Sequence, residues 1–452
     1  MRATMDQILE IHSRINAFVW GAPLIIALMG TGLFLTFWTG GVQFRRLGFT
    51  FREVLGKLTS KGSGSGTVTP FQAVATALAS TVGVGNIAGV ATAISIGGPG
   101  SVFWLLVSGL LGMCTKFCEI VVALHYREVD AGGTMRGGAM YVLRKGLGLP
   151  WLGTIFALLT SLAAFGIGNM VQANSVTDAL EASFGIDPRV SGVMLMGLVA
   201  LVVLGGLKRI AEVTQLLVPF MCIFYVCGGL VILVRFAGAI PHAVQLVLEG
   251  AFSGHAAVGG FAGATVMQAI RFGVARGLFS NEAGLGSAPI VHAAAVTDHP
   301  VRQALYGIFE VVVDTFIVCV LTAFVILATG AWEQGLTGAA LSAKGFEIGL
   351  PGVWGDAIVS VGILTFAFST LIGWSFYGET GAVYLLGNRA VLPYRLMWVG
   401  AVWFGATGSL HLIWDIADTL NGLMAVPNLV AVLGSTAVIR KLLREFFSRS
   451  NL

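Results

Sequence analysis

The chain has 452 residues, 56% of them hydrophobic and 11% charged, with 62 glycines and a formal net charge of +4. Soluble domains carry about 25% charged residues, so this composition excludes a water-soluble globule, and nothing in it points to a nucleic-acid partner. The medium for such a chain is a lipid bilayer, where only helices and closed barrels satisfy the backbone.

The apolar runs are unalternating and long enough for helices crossing a hydrocarbon core of roughly 30 Å. The fold class read from them is an all-α polytopic membrane protein with eleven spans, at 18–38, 70–96, 101–125, 151–178, 190–206, 213–235, 260–292, 303–329, 356–386, 396–412 and 415–438. The first apolar run begins only near Phe18 and carries no small-residue cleavage pattern, which predicts no cleavable signal. Met5, Ile8, Ile11, Ile15 and Phe18 fall at helical spacing, which suits either an amphipathic helix in the outer interface or the first turn of span one.

Loop 39–69 carries Arg45, Arg46, Arg52, Lys57 and Lys61, and its end, KGSGSGTVT at Lys61–Thr69, reads as a flexible linker. Alternate loops and the tail bring the basic residues on that side to eighteen, against five on the other. The positive-inside rule then places the amino terminus outside and the carboxyl terminus in the cytoplasm of a plasma (inner) membrane protein.

Span two holds TVGVGNIAGVATA at Thr81–Ala93. A helix interior avoids this much glycine, each costing about 1 kcal/mol against alanine. A dinucleotide cradle needs a preceding strand and a βαβ unit, neither of which is predicted here. The pair Gly85 and Gly89 also suits close helix packing. A second cluster, EAGLGSAPIVHAA at Glu282–Ala294, aligns with the first, Gly83-Val84-Gly85-Asn86 over Gly284-Leu285-Gly286-Ser287. Each cluster opens a block of five spans. Five is odd, so the blocks enter the membrane from opposite sides. The organisation predicted is an inverted five-plus-five repeat with two broken helices and one leading helix. Its units are 1–69, 70–259, 260–440 and a tail at 441–452. Paired broken helices mark a midplane binding site in secondary transporters. Their freed N–H groups suit a carboxylate and their freed carbonyls a cation.

In span four, Asn169 and Gln172 share a face beside Phe165, either bonding between helices or facing a substrate. In span nine, Ser369 and Thr370 offer hydroxyls to a cation, or bond back to their own helix, and Trp374 lies one turn beyond Thr370. Charges inside spans are costly. Lys116 and Glu119 are expected to pair; Glu282 adjoins the second break; Asp314 either lies near a ligand or pairs with Arg271 or Arg276. The five cysteines lie in apolar segments and read as buried small hydrophobes. A membrane enzyme is disfavoured, since neither a His-Glu-x-x-His pair nor a Gly-x-Ser-x-Gly elbow occurs.

Five stretches resemble the alanine/glycine:cation symporter family: TPFQAVATALASTVGVGNIAGVATAI (Thr69–Ile94), GGPGSVFWLLVSGLLG (Gly97–Gly112), AAFGIGNMVQANSV (Ala163–Val176), ARGLFSNEAGLGSAPI (Ala275–Ile290) and TFAFSTLIGWSFYGE (Thr365–Glu379). One departure is Leu105-Leu106, where the family usually has Met-Trp. The family is similar to the leucine-transporter fold. The resemblance implies that backbone amides near Gly83, Val84 and Gly85 bind a substrate carboxylate. It also implies one sodium on the carbonyls of Ala79 and Val82 with Ser369 and Thr370, and a second cation position at Asn86, Thr81 and Ser280. Phe279 and Trp374 would wall the substrate side chain, where the bulk of Trp374 leaves room for little beyond a methyl group. The function implied is symport of alanine, and glycine, with sodium by alternating access. A proton as coupling ion, uncoupled transport, and an amino-acid-gated channel on the same fold are the alternatives.

Overall fold

A computed structural model describes residues 14–253, 266–408 and 411–449. The predicted amphipathic stretch from Met5 therefore lies largely outside the described residues, as do the 259/260 boundary and the start of the seventh expected span.

Among the described residues the secondary structure is helical apart from a two-stranded hairpin and two isolated strand bridges. Helix α1 (Ala22–Trp38) is followed by a helical turn at Val42–Arg45 and the amphipathic α2 (Leu47–Leu55). Helices α3 (Pro70–Thr81) and α4 (Val90–Gly97) are two halves of one rod bent by 50°. Next come α5 (Ser101–His125), the β1–β2 hairpin (Glu128–Val129 and Met135–Arg136), and α6 (Pro150–Ala163), which runs through a π turn into α7 (Val171–Phe184). Then come α8 (Pro188–Val203), α9 (Gly206–Arg235) and α10 (Ile240–Phe252). Helix α11 (Val266–Asn281) and the short α12 (Pro289–His292) form a second interrupted pair, separated by a non-helical stretch at 282–288. Helix α13 (Pro300–Val311) continues through a π segment into α14 (Val320–Ala328), then α15 (Gly338–Gly349), α16 (Val353–Leu386), α17 (Val391–Thr407), α18 (His411–Gly434) and α19 (Thr436–Arg449).

Among the described residues, seven helices are long and apolar enough to cross a bilayer, or eight with the bent pair counted as one span. This is a multi-pass helical membrane protein. Helices fall in all eleven expected stretches, but α8 has 16 residues and α17 has 17, below the roughly 20 that a lone span needs. In the eleventh stretch α18 stops at Gly434, and the amphipathic α19 follows it with Ile439, Leu442 and Phe446 buried.

Local chemistry explains the rod ends. Thr69 caps α3 in a full capping box with Gln72, and Pro70 opens it. Val82 then takes an extended conformation and ends it. The halves of the two rods cross: α3 packs on α12, and α4 packs on α11.

Lys61–Thr69 is no flexible linker. Thr67 and Val68 donate to the Ala294 carbonyl, Val296 donates back to Val68, and Arg127 ties the Ser65 carbonyl to those of Ala293 and Ala295. Glycine serves close approach here, because a Cβ on Gly66 would sit 2.3 Å from the Val296 nitrogen. On the hairpin, Arg136 bonds Asp130 at 2.5 Å and Glu379 at 2.8 Å, and Arg395 bonds Glu379 at 2.6 Å. Burial alone would raise the Asp130 carboxyl, but Arg136 and the N–H groups of Thr134 and Gly132 hold it below its ordinary value. Three cysteines are buried as expected, Cys222 is half-buried, and Cys227 is exposed on the outside of α9.

Candidate functional site

Between the two broken rods lies a cavity of about 30 Å³. By the same measure one water needs about 10–15 Å³, so the space suits a ligand of very few heavy atoms. Its walls come from α3 and the first break (Ser80, Thr81, Gly83, Gly85), the π turn and α7 (Ile167, Gln172), and α11 (Phe279, Ser280, Glu282). Thr370 and Trp374 on α16 and Asn421 on α18 close it.

At the first break, the N–H of Gly83 donates to Asn86 Oδ1 at 2.9 Å. A Cβ on Gly83 would lie 2.7 Å from Thr370 Oγ1, so only glycine lets the backbone come this close. Val84 points its side chain into the core rather than the cavity, leaving only its backbone at the break. The Ala79 carbonyl accepts from Ser369 Oγ at 3.0 Å and Thr370 Oγ1 at 3.1 Å. Both hydroxyls also reach the Phe366 carbonyl, at 2.8 and 2.9 Å. Each hydroxyl has one proton and two carbonyls to choose between. It can give up the Ala79 bond to coordinate a cation without orphaning itself. Val82 caps the end of α3, its N–H donating to the Leu78 carbonyl.

Asn86 and Ser280 meet elsewhere, on the Asp314 carboxylate, at 2.6 and 3.0 Å, with Thr315 Oγ1 at 2.9 Å. Asp314 thus has neutral donors and pairs with neither Arg271 nor Arg276, whose guanidinium groups lie over the rings of Phe272 and Phe279. Thr81 is separated from that pair and reaches Glu310 Oε1 at 3.3 Å. The three residues expected to share a second cation position therefore split between two carboxylates.

The stripe in span four also divides. Gln172 reaches the cavity; its Nε2 donates to the Ile167 carbonyl at 2.9 Å, and its Oε1 is buried without a partner. Asn169 turns away and donates to the Trp398 carbonyl at 2.8 Å. Phe165 packs on Tyr394 and Trp398 and lines an outer crevice instead. The π turn over Ala164–Met170 is the reason, since it rotates the residues before Gln172 off the face that straight helical spacing gives them.

Trp374 Nε1 donates to Glu282 Oε1 at 2.9 Å, and Ser287 Oγ donates to Glu282 Oε2 at 2.6 Å. Glu282 sits at φ 56°, among the described residues the one non-glycine with positive φ, a strained state that tertiary bonds must hold. Lys116 does not pair with Glu119. Its ammonium bonds Glu310 at 2.6 Å and the Asn281 carbonyl at 2.7 Å, because the end of α11 offers that freed carbonyl beside it. Glu119 takes a hydrogen bond from Asn428, which also donates to the Gly284 carbonyl at 2.9 Å.

Residues 5–451 match the sodium:alanine symporter family. The chain belongs to that family. A transporter of Haemophilus influenzae is 48% identical over 443 residues, 97% of this chain and 96% of that one. The sodium/alanine symporter AgcS of Methanococcus maripaludis is 47% identical over 433 residues, 94% of each. A probable sodium/glutamine symporter of Bacillus subtilis, GlnT, is 36% identical and covers 98% of this chain and 91% of its own length. As a member of the sodium:alanine symporter family, the protein is a secondary transporter and not an enzyme.

Sequence reasoning left out Ser80, Ile167 and Asn421 and gave Glu282 no role, though all four line the cavity. Glu282 was within reach, as the one acid adjoining the second glycine cluster. Ser80 and Ile167 carry no local signal, and Asn421 shows only as one of two amides in an apolar span, with Asn428.

Proposed function

We propose that the protein carries alanine, and glycine, into the cell together with sodium by alternating access. The observation that carries this reading is the gathering of complementary chemistries around one small cavity. The glycine-marked break at Gly83–Gly85 presents backbone to a substrate carboxylate. The Glu282 carboxylate and the unpartnered Gln172 Oε1, which lies 3.9 Å from where a Cβ on Gly83 would sit, are acceptors for its ammonium group. Phe279 and Trp374 limit the side chain. The Ala79 carbonyl with Ser369 and Thr370 forms the proposed sodium site, hard oxygen ligands around one point next to the substrate. The site residues, the inverted five-plus-five halves, and an amino terminus outside with the carboxyl terminus in the cytoplasm are part of this proposal.

Proteoliposomes with an inward sodium gradient should accumulate labelled alanine above the outside concentration, and replacing sodium with potassium should stop uphill uptake. Undiminished uptake would exclude sodium coupling, and equilibration without accumulation would favour a channel. Trp374→Ala should admit larger amino acids or abolish binding; unchanged alanine selectivity would break the steric argument. Proton coupling is the second reading. It is favoured by the buried His292 Nε2 beside Glu310 Oε2 at 3.0 Å, one hydrogen bond from Thr81. Alanine uptake driven by a proton gradient without sodium would support it.

A further inference from the structure

Away from the transport cavity, the turn after α1 and the helix α19 enclose a second cavity of about 210 Å³. Three arginines line it, Arg45, Arg46 and Arg444, beside Val42, Leu443 and Phe447. Gly40 and Gly41, at φ 69° and 68°, turn the chain sharply out of α1 and bring both turn arginines to this mouth. Arg46 stacks on the Phe447 ring with its guanidinium carbon 4.3 Å from the centroid, which fixes its direction. Among the described residues no carboxylate lies within ion-pair distance of these three groups, although Glu53, Glu128 and Glu379 each hold arginines or lysines nearby on the same end of the bundle.

Aromatic residues flank the turn that follows α1. Phe37 is 76% exposed and Phe44 is 52% exposed, and the Trp38 ring stacks on Phe34 and lies under Arg440 at 4.9 Å. Exposed phenylalanines followed within one turn by a tryptophan and unpaired arginines trace the passage from hydrocarbon to headgroup. The lining joins three arginines to apolar side chains, of which Val42 and Leu443 are buried.

We propose that this cavity binds the phosphate of an anionic phospholipid, with the first part of its acyl chain along Val42, Leu443 and Phe447. The bidentate geometry of arginine suits phosphate oxygens. Seating such a lipid ties α19 to the exit of α1, so the lipid acts as a tether between the leading helix and the carboxyl-terminal helix. This site is separate from the transported substrate and its ion.

The test titrates the detergent-solubilised full chain with dioleoylphosphatidylglycerol, dioleoylphosphatidylcholine and inorganic phosphate, reading binding by thermophoresis. A basic residue near an anionic surface contributes about fivefold in affinity. The wild-type protein should prefer phosphatidylglycerol to phosphatidylcholine by at least about tenfold, and Arg45→Gln/Arg46→Gln/Arg444→Gln should weaken phosphatidylglycerol by about a hundredfold. The control Lys208→Gln/Arg209→Gln, which removes charge elsewhere, should keep the preference. If the triple variant fails to fold, Arg444→Gln alone, on an exposed side chain, should still lose about fivefold. Unchanged affinity in the arginine variants overturns the site. So does an equal loss in the control, which would mean diffuse attraction, or inorganic phosphate binding as tightly as the lipid, which would mean a free-anion site.

Discussion

The two interrupted rods carry the same glycine spacing and solve the same problem in different ways. Breaking a helix inside a bilayer frees backbone groups that lipid cannot satisfy. At the first break, neutral groups take them: Asn86 accepts from Gly83, and the Ser369 and Thr370 hydroxyls cover the Ala79 carbonyl. At the second, the Lys116 ammonium holds the Asn281 carbonyl, Glu282 sits with positive φ under Trp374 and Ser287, and Asn428 holds the Gly284 carbonyl. Neutral hydroxyls exchange partners cheaply, whereas a buried ammonium that leaves its carboxylate strands both charges. In the proposed mechanism the first break takes and releases the ion and the ligand, and the second, pinned by its charges, is their fixed counterpart.

The comparison breaks most sharply at Lys116. Lys116→Met leaves Glu310 buried without its cation and should cost about 3–5 kcal/mol, read as thermal unfolding in detergent. Lys116→Met/Glu310→Gln should recover much of that loss, and a single variant as stable as wild type would show that the second break is not pinned by charge. Glycine substitutions should divide along the same line. Gly284→Ala forces a side chain onto φ 93° with Leu28 Cδ2 at 2.3 Å, so about 1–3 kcal/mol of stability should go. Gly85→Ala meets only the Phe279 ring at 3.5 Å; it should fold normally and weaken alanine binding instead. Equal stability losses for the two would erase the distinction.

Glu282→Gln tests the substrate side. A hydrogen bond to a charged group contributes about 1.5–3 kcal/mol, so the KM for alanine should rise about ten- to a hundredfold with sodium dependence little changed. A shift in sodium dependence alone would move Glu282 from the ammonium to the ion. The smallest effect is expected for Thr370→Ala, where one neutral ligand worth about 1 kcal/mol should raise the sodium concentration for half-maximal uptake about fivefold. An unchanged value would remove Thr370 from the cation site.

Much of the site was legible because a broken helix leaves a local mark. Gly83, Gly85 and Thr370 were found from patterns spanning a turn or two, Trp374 was assigned to the site by the family resemblance, and all four line the cavity. Asn169 and Phe165 were misplaced for an equally local reason that spacing does not reveal, a π turn that shifts their phase. The linker reading of Lys61–Thr69 failed because glycine and serine suit both a slack chain and a strand pressed against another backbone; only the partner at 294–297 distinguishes them.

Composition and apolar run length alone determined that this protein lives in a membrane as helices, and paired glycine clusters determined where two of those helices stop. Both follow from the backbone's need for hydrogen bonds in lipid, which neighbouring residues settle among themselves. Which charges meet was decided by tertiary structure: Lys116 finds Glu310 across 194 positions, and Glu282 finds Trp374 across 92. A buried charge accepts whichever partner the packed helices bring within reach, and that is a property of three-dimensional direction that no short stretch of sequence encodes.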